Sequence, residues 1–122
     1  MDIEKFTIGT TARTHLLSIK SISDIVGNRI YPGVAPEDTE GTFVVYERDS
    51  YELFNTKFGI YQQEANIAYE VVSDTYDEGQ RLAVLILENM QGRRNGLQYS
   101  LVDSSEYYKE KKYRQVLLFK IN

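Results

Sequence analysis

The sequence predicts an α+β domain: an antiparallel sheet of four to five strands packed by two helices on one face, in the order helix-strand-strand-helix-strand-strand. Three observations predict it. Leu16, Ile19, Ile22 and Val26, and later Leu82, Leu85, Ile86 and Met90, recur at the three- and four-residue spacing that places side chains on one side of a helix. Ala65, Ile67, Tyr69 and Val71 alternate with Glu64, Asn66 and Glu70, and Leu97, Tyr99 and Leu101 alternate with Gln98 and Ser100. Tyr113, Gln115, Leu117, Phe119 and Ile121 form one side of a last strand whose other side includes Arg114 and Lys120, as strands with one buried face do. The strand-like runs come in two pairs with no helix between the members of a pair, and strands so linked are most simply antiparallel.

Taken in order, the first helix is expected to begin after Gly9, with the side-chain oxygen of Thr10 or Thr11 as its cap, and to end at Gly27-Asn28. Ser21 to Asp24 form a second start signal, at which this helix can break into a long and a short piece. Residues 29–41 contain both prolines, Pro32 and Pro36, with Gly33, Gly41 and three acids, and read as an ordered loop. Proline holds its own φ and pushes the preceding residue toward extended backbone, so Tyr31 and Ala35 should be extended and residues 29–31 are a candidate fifth, edge strand. Phe43 to Tyr46 is a short β-favouring run that turns polar at Glu47 to Ser50 and pairs with the alternating run from Ala65. Between them, residues 51–60 make a long hairpin tip with Asn55 and Gly59 as turn formers and Tyr51, Phe54 and Phe58 as aromatics. Exposed aromatics mark contact surfaces because they bury much area at small entropic cost; folding back onto the sheet is the equally weighted alternative.

Thr75 and Glu78 have the spacing of a capping box, and Asp74, Asp77 and Glu78 suit the positive end of the second helix, which Gly92 closes. Val84 and Leu87 widen its apolar stripe. Arg93-Arg94 complement the negative helix end. Lys109-Glu110-Lys111-Lys112, between Tyr107, Tyr108 and Tyr113, falls where the last hairpin must turn. Its basic and aromatic residues can in principle stack nucleotide bases, but Glu110 and the turn position favour a solvated hairpin tip.

The 122 residues suit one domain spanning 1–122 that buries a core without staples. With no Cys and one His, thiolate and imidazole zinc sites, iron–sulfur clusters, disulfides and a cysteine nucleophile are excluded. A net charge of −4 supplies no field to gather phosphates. The start of the chain lacks the pattern of a cleaved signal, and the longest apolar run, residues 82–87, is too short to span a bilayer, so a soluble, membrane-free protein is expected. His15 sits alone in the first helix with no nucleophile or acid to form a triad. The Asp74, Asp77, Glu78 group lacks the spacing of a calcium loop, and the glycines are scattered through turns and make no phosphate cradle. No catalytic residue, cofactor or metal is expected, and the chain is read as no enzyme.

Three segments carry a family resemblance. Gly27-Asn28-Arg29-Ile30-Tyr31-Pro32-Gly33-Val34-Ala35-Pro36 followed by Phe43-Val44-Val45-Tyr46, then Tyr69-Glu70-Val71-Val72-Ser73-Asp74-Thr75-Tyr76-Asp77-Glu78 leading into an apolar helix, and finally residues 113–121, resemble the bacteriophage tail-completion proteins, also called tail terminators or head–tail joining proteins. The resemblance implies a structural, non-enzymatic protein of the virion tail, assembled in the bacterial host cytoplasm. It would form a ring with copies of itself, commonly six, capping the head-proximal end of the tail tube and docking to the head connector, with DNA passing through without specific binding. A mildly acidic chain suits such a lumen, since a basic one would hold phosphates. Arg29, Tyr31, Pro32 and Pro36 form the family-like loop, and Tyr51, Phe54, Phe58, Tyr107 and Tyr108 are the candidate subunit and tube contacts. A small α+β ligand-binding or regulatory module of a bacterial cell, with a tyrosine-lined pocket, is the competing expectation.

Overall fold

The computed structural model describes residues 7–56, 59–94 and 96–122, with side chains throughout except at 49–56 and 59–63. Its elements are α1 (Ile8–Leu17), α2 (Lys20–Val26), β1 (Ile30–Pro32), β2 (Phe43–Thr56), β3 (Gly59–Ser73), α3 (Tyr76–Met90), β4 (Gly92–Arg94), β5 (Leu97–Lys109) and β6 (Lys112–Ile121). The strands form a six-stranded sheet in the order β1-β2-β3-β6-β5-β4.

The α+β class and the two antiparallel hairpins agree with the sequence, and three details correct it. The first helical stripe does break into a long and a short helix, but ahead of the Ser21 start signal: Ser18 keeps helical backbone, Ile19 is extended, and α2 restarts at Lys20, so the described residues hold three helices. The candidate edge strand exists and pairs parallel to β2, Ile30 opposite Val44 and Pro32 opposite Tyr46, making the sheet mixed. Proline is tolerated there because an edge strand has one side without ladder bonds, and the loop of residues 33–42 carries the chain back to enter β2 in the same direction. The sixth strand, β4, is a short piece opposite Leu97–Tyr99, with no apolar period for a sequence reading to detect. Gly92, at φ 118°, bends the chain into it.

Helix starts follow local chemistry. α1 begins at Ile8, earlier than expected, and its N-cap Thr7 makes no side-chain cap bond. The hydroxyls of Thr11 and Thr14 donate to carbonyls one turn back, those of Thr7 (3.4 Å) and Thr10 (3.0 Å), which puts them inside the helix. At α3 the expected cap forms: the Glu78 N–H donates to Thr75 Oγ1 at 3.3 Å. The Glu78 carboxylate does not complete the reciprocal half of a capping box; it accepts from the Thr42 hydroxyl and ties the start of α3 to the entry of β2. Gly79 allows a close approach here, because a Cβ on it would stand 2.8 Å from Ser73 Oγ, itself buried and donating to the Thr75 carbonyl.

The core lies between the helices and one face of the sheet. Val44 and Tyr46 of β2, Ile67, Tyr69 and Val71 of β3, Leu97 and Tyr99 of β5, and Leu117, Phe119 and Ile121 of β6 pack with Leu16 of α1, Ile22 and Val26 of α2, and Leu82, Ile86 and Met90 of α3. The alternation in the sequence marked the residues of β3, β5 and β6 correctly, whereas β2 reads only as a short apolar run from Phe43 to Tyr46. Val84 is a correction: it is 50% exposed and lies outside the buried stripe.

Tyr69 stands at the centre of this core, its ring 6.0 Å from those of both Tyr46 and Phe119. Its buried hydroxyl has no hydrogen-bond partner among the described residues. Burial, reinforced by Tyr99 and Tyr46, pushes its pKa far above the ordinary value of 10.0. The unfolded chain would ionise this group near pH 10 while the folded protein keeps it neutral. Its contribution to stability is therefore complete below pH 10 and is lost as pH rises above that value, at about 1.4 kcal/mol per pH unit. Tyr69→Phe deletes both the orphaned hydroxyl and the titration. In urea unfolding it should be more stable than the parent by about 1 kcal/mol at pH 7 and lose stability less steeply between pH 10 and 11. An equal alkaline slope in the two proteins would place the hydroxyl in contact with water.

Candidate functional site

The strongest surface feature is a tyrosine cluster at the tip of the β5–β6 hairpin. The hairpin turns through Glu110 and Lys111, at φ 56° and 64°. Two successive left-handed residues match the twist of flanking strands in a two-residue turn. Turning lets the strands extend past the start of α3, where Lys112 pairs with Asp74 and secures the arm. A register shift between Leu101 and Asp103 reverses which residues face the helices. Beyond it Tyr108 lies opposite Tyr113, and Tyr107 opposite Arg114.

The two candidate residues therefore sit on opposite faces. Tyr108 packs on Tyr113, rings 4.9 Å apart, and Tyr113 packs on Tyr76 of α3 at 5.7 Å. Tyr108 is 61% exposed, Tyr76 39% and Tyr113 37%, so the cluster presents an aromatic surface on the helix side. The Tyr76 hydroxyl donates to both Glu106 carboxylate oxygens, at 2.8 and 2.9 Å, and this bond raises its pKa. On the far face the Tyr107 hydroxyl donates to Glu70, which raises its pKa in the same way, and Glu70 also meets Arg114 Nη1 at 3.4 Å. A cavity of about 230 Å³ lies among Tyr76, Glu106, Tyr107, Tyr108, Tyr113 and Gln115. The Gln115 side-chain nitrogen, buried here, has no hydrogen-bond partner among the described residues.

Tyr113 enters the sequence reading only as an aromatic flanking the turn at residues 109–112, not as a subunit contact, and Tyr76 does not enter it as a surface residue. Tyr113 has the parity of the buried β6 residues, and only the length of the arm carries it past the core. Tyr76 reads as an ordinary first residue of a helix.

The other aromatic candidates belong to the β2–β3 hairpin. Residues 51–60 do not form a long loop: β2 runs to Thr56 and β3 begins at Gly59, with Tyr51 opposite Ala65 and Phe54 opposite Gln62. The strands lengthen because every residue of β2 except Asp49, skipped at a register shift, finds a ladder partner on β3, even though the sequence there lacks alternation. Phe58 lies outside the described residues, as do the side chains of Tyr51 and Phe54.

The family-like loop is held by arginines. Arg29 Nε donates to the Thr42 carbonyl and Nη2 to the Ile25 carbonyl, both at 3.1 Å, so one guanidinium closes the end of α2 against the start of β2. Arg13 of α1, which the sequence did not mark, donates to the carbonyls of Ile30 (2.7 Å) and Asn28 (3.1 Å). Tyr31 packs edge-on against Phe43, rings 6.3 Å apart. The Pro36 carbonyl accepts from the backbone and hydroxyl of Thr39, forming a turn, and Pro32 ends β1.

The remaining candidates have packing roles. His15 Nε2 lies 2.9 Å from the Asn89 carbonyl and ties α1 to the end of α3. Arg94 donates to the carbonyls of Asn89 (2.7 Å) and Met90 (3.0 Å) and stacks over the Tyr99 ring at 4.3 Å, the helix-end role expected of it. Among the described residues no group of three acidic, histidine or cysteine side chains is placed to hold a metal ion, and no described helix is long and apolar enough to cross a membrane.

The fold and its surfaces thus define an α+β protein with three helices on a mixed sheet, two long hairpins and an exposed aromatic cluster. A chain of a solved structure described as the virion of a native gene transfer agent (GTA) particle has the same fold, with a TM-score of 0.72 over 90% of this chain and 89% of that one at 18% identity. No family model and no curated protein matches the chain.

Proposed function

We propose that the chain is a tail-completion protein of a phage or phage-like particle: a non-enzymatic subunit of a ring that caps the head-proximal end of the tail tube and docks to the head connector. The observation that carries this reading is the fold it shares, over nearly the whole of both chains, with a component of a gene transfer agent virion. The three segments that resemble tail terminators support it, as do the exposed tyrosines of the β5–β6 arm, a surface type suited to joining proteins. A ring needs a heterologous interface, one patch of each copy meeting a different patch of the next.

Size-exclusion chromatography with light scattering should find a discrete species at several times the 14.1 kDa of one chain as concentration rises, and negative-stain images should show rings. A monomer at high concentration that also fails to bind purified tail tubes would contradict the assignment. The cavity beside Tyr76 and Tyr108 favours a second reading, the ligand-binding module. At about 230 Å³ it lies below the roughly 300–1,000 Å³ of ordinary small-molecule sites. That reading requires a saturable thermal shift with a small ligand.

A further inference from the structure

Each outer edge of the sheet is half covered. On one side β1 pairs with Val44–Tyr46 of β2, and the last bond there is from the Gly33 N–H to the Tyr46 carbonyl at 2.8 Å. On the other side β4 pairs with Leu97–Tyr99 of β5, followed by the Leu101 N–H donating to Gln91 Oε1 at 2.9 Å. Each long strand then passes a register shift, between Arg48 and Ser50 on β2 and between Leu101 and Asp103 on β5. Among the described residues no strand lies on the outer side of residues 50–56 of β2 or of residues 103–109 of β5. The Lys109 carbonyl, at the end of that stretch, accepts from Arg114 Nε at 3.3 Å.

These two open stretches have equal length and lie at opposite ends of opposite edges. Three successive antiparallel pairings, β2–β3, β3–β6 and β6–β5, make β2 and β5 run in opposite directions. A second copy slid sideways without being turned over would therefore bring its β2 antiparallel to β5 of the first, with the helices of both on the same side. The short β4 of one copy and β1 of the other flank the joint at its two ends, so the edges overlap like a lap joint.

We infer that residues 103–109 of one copy pair antiparallel with residues 50–56 of a second copy of this chain, extending one sheet from subunit to subunit. This rests on the ring reading and names its interface. Main-chain bonds along an edge supply the attraction, as in strand addition. The joint is heterologous and displaces each copy along the strand direction. Such displacement tilts the strands, and strand tilt with a fixed stagger is what a closed sheet requires. Partnering would also cover stretches that otherwise invite uncontrolled pairing.

The chain has no cysteine, so single introduced thiols report the joint directly. In the full-overlap register residue 55 faces residue 104, and residue 52 faces residue 107. Asn55→Cys and Ser104→Cys chains, mixed before assembly so that they form joint oligomers and then treated with oxidised glutathione, should give a covalent dimer of doubled mass on a non-reducing gel. Each variant alone should remain single, and the double variant should give a ladder of multiples. Glu52→Cys with Tyr107→Cys tests the same register if circular dichroism shows the first pair misfolded. A dimer from Ser104→Cys alone would overturn the proposal by showing an edge pairing with itself. Oligomers by light scattering with no cross-link in either mixture would overturn the edge pairing and leave the ring standing. Absence of any oligomer, free or on tail tubes, would overturn both.

Discussion

Arg29→Met is expected to lower the free energy of unfolding by about 3 kcal/mol, seen as a fall of roughly 10 °C in melting temperature for a chain of this size. The substitution keeps an unbranched apolar stem and removes the guanidinium with its donors. Two carbonyls, Thr42 and Ile25, then lose charge-assisted bonds made at 3.1 Å in a half-buried site, each bond contributing about 1.5–3 kcal/mol before solvent recovers part of the loss. The guanidinium also packs over Gly41, where a Cβ would stand 3.1 Å from Nη2, and this contact is lost with it. Arg29→Lys should fall between, because an ammonium cannot reproduce the planar fork. Both acceptors are carbonyls, so the difference between parent and variant should stay constant from pH 5 to 9. A difference that collapses below pH 5 would show a carboxylate partner instead.

Phe119→Ala is expected to cost about 3–5 kcal/mol, the range for truncating a buried aromatic. Phe119 has no exposed surface, lies on β6 opposite Ile67 of β3 and Leu101 of β5, and packs edge-on to Tyr69 at 6.0 Å. Its loss would remove one side of the Tyr69 ring packing at the middle of the sheet. Val84→Ala is the matched control: Val84 is half exposed on α3, and its truncation should change stability by less than about 0.5 kcal/mol. Urea unfolding of both checks the placement of the core. A cost near 1 kcal/mol for Phe119→Ala would mean that this part of the sheet is not buried as described.

The core was legible in the sequence wherever burial imposes a period. Ile67, Tyr69, Leu117 and Phe119 alternate because one face of their strands meets helices, and Thr75 announces α3 because a side-chain oxygen satisfies an otherwise orphaned N–H. The arms were not legible for the converse reason. Residues 47–56 pair in a hairpin whose sequence carries no alternation, and β4 consists of Gly92, Arg93 and Arg94, with no apolar residue to mark it. The parallel direction of β1 depends on how the loop of residues 33–42 returns, which Ile30, Tyr31 and Pro32 do not encode. The tyrosine surface was half legible. Tyr107 and Tyr108 were chosen as adjacent aromatics near a turn, but the register shift before Asp103 decides which face each takes, and it joins Tyr108 with Tyr113 and Tyr76 while sending Tyr107 to Glu70. Loop residues marked through the family resemblance proved to hold backbone together in the case of Arg29, and Arg13, which shares that work, has no pattern in the sequence to set it apart.

The most direct test of a tail-completion role uses tail tubes purified without their terminator and incubated with the isolated chain. Electron microscopy should then show added density at one end of each tube, the end that joins heads, and tubes so treated should stop growing in the presence of free tube protein. Tubes that bind no chain at either end and continue to elongate at an unchanged rate would contradict the proposed role.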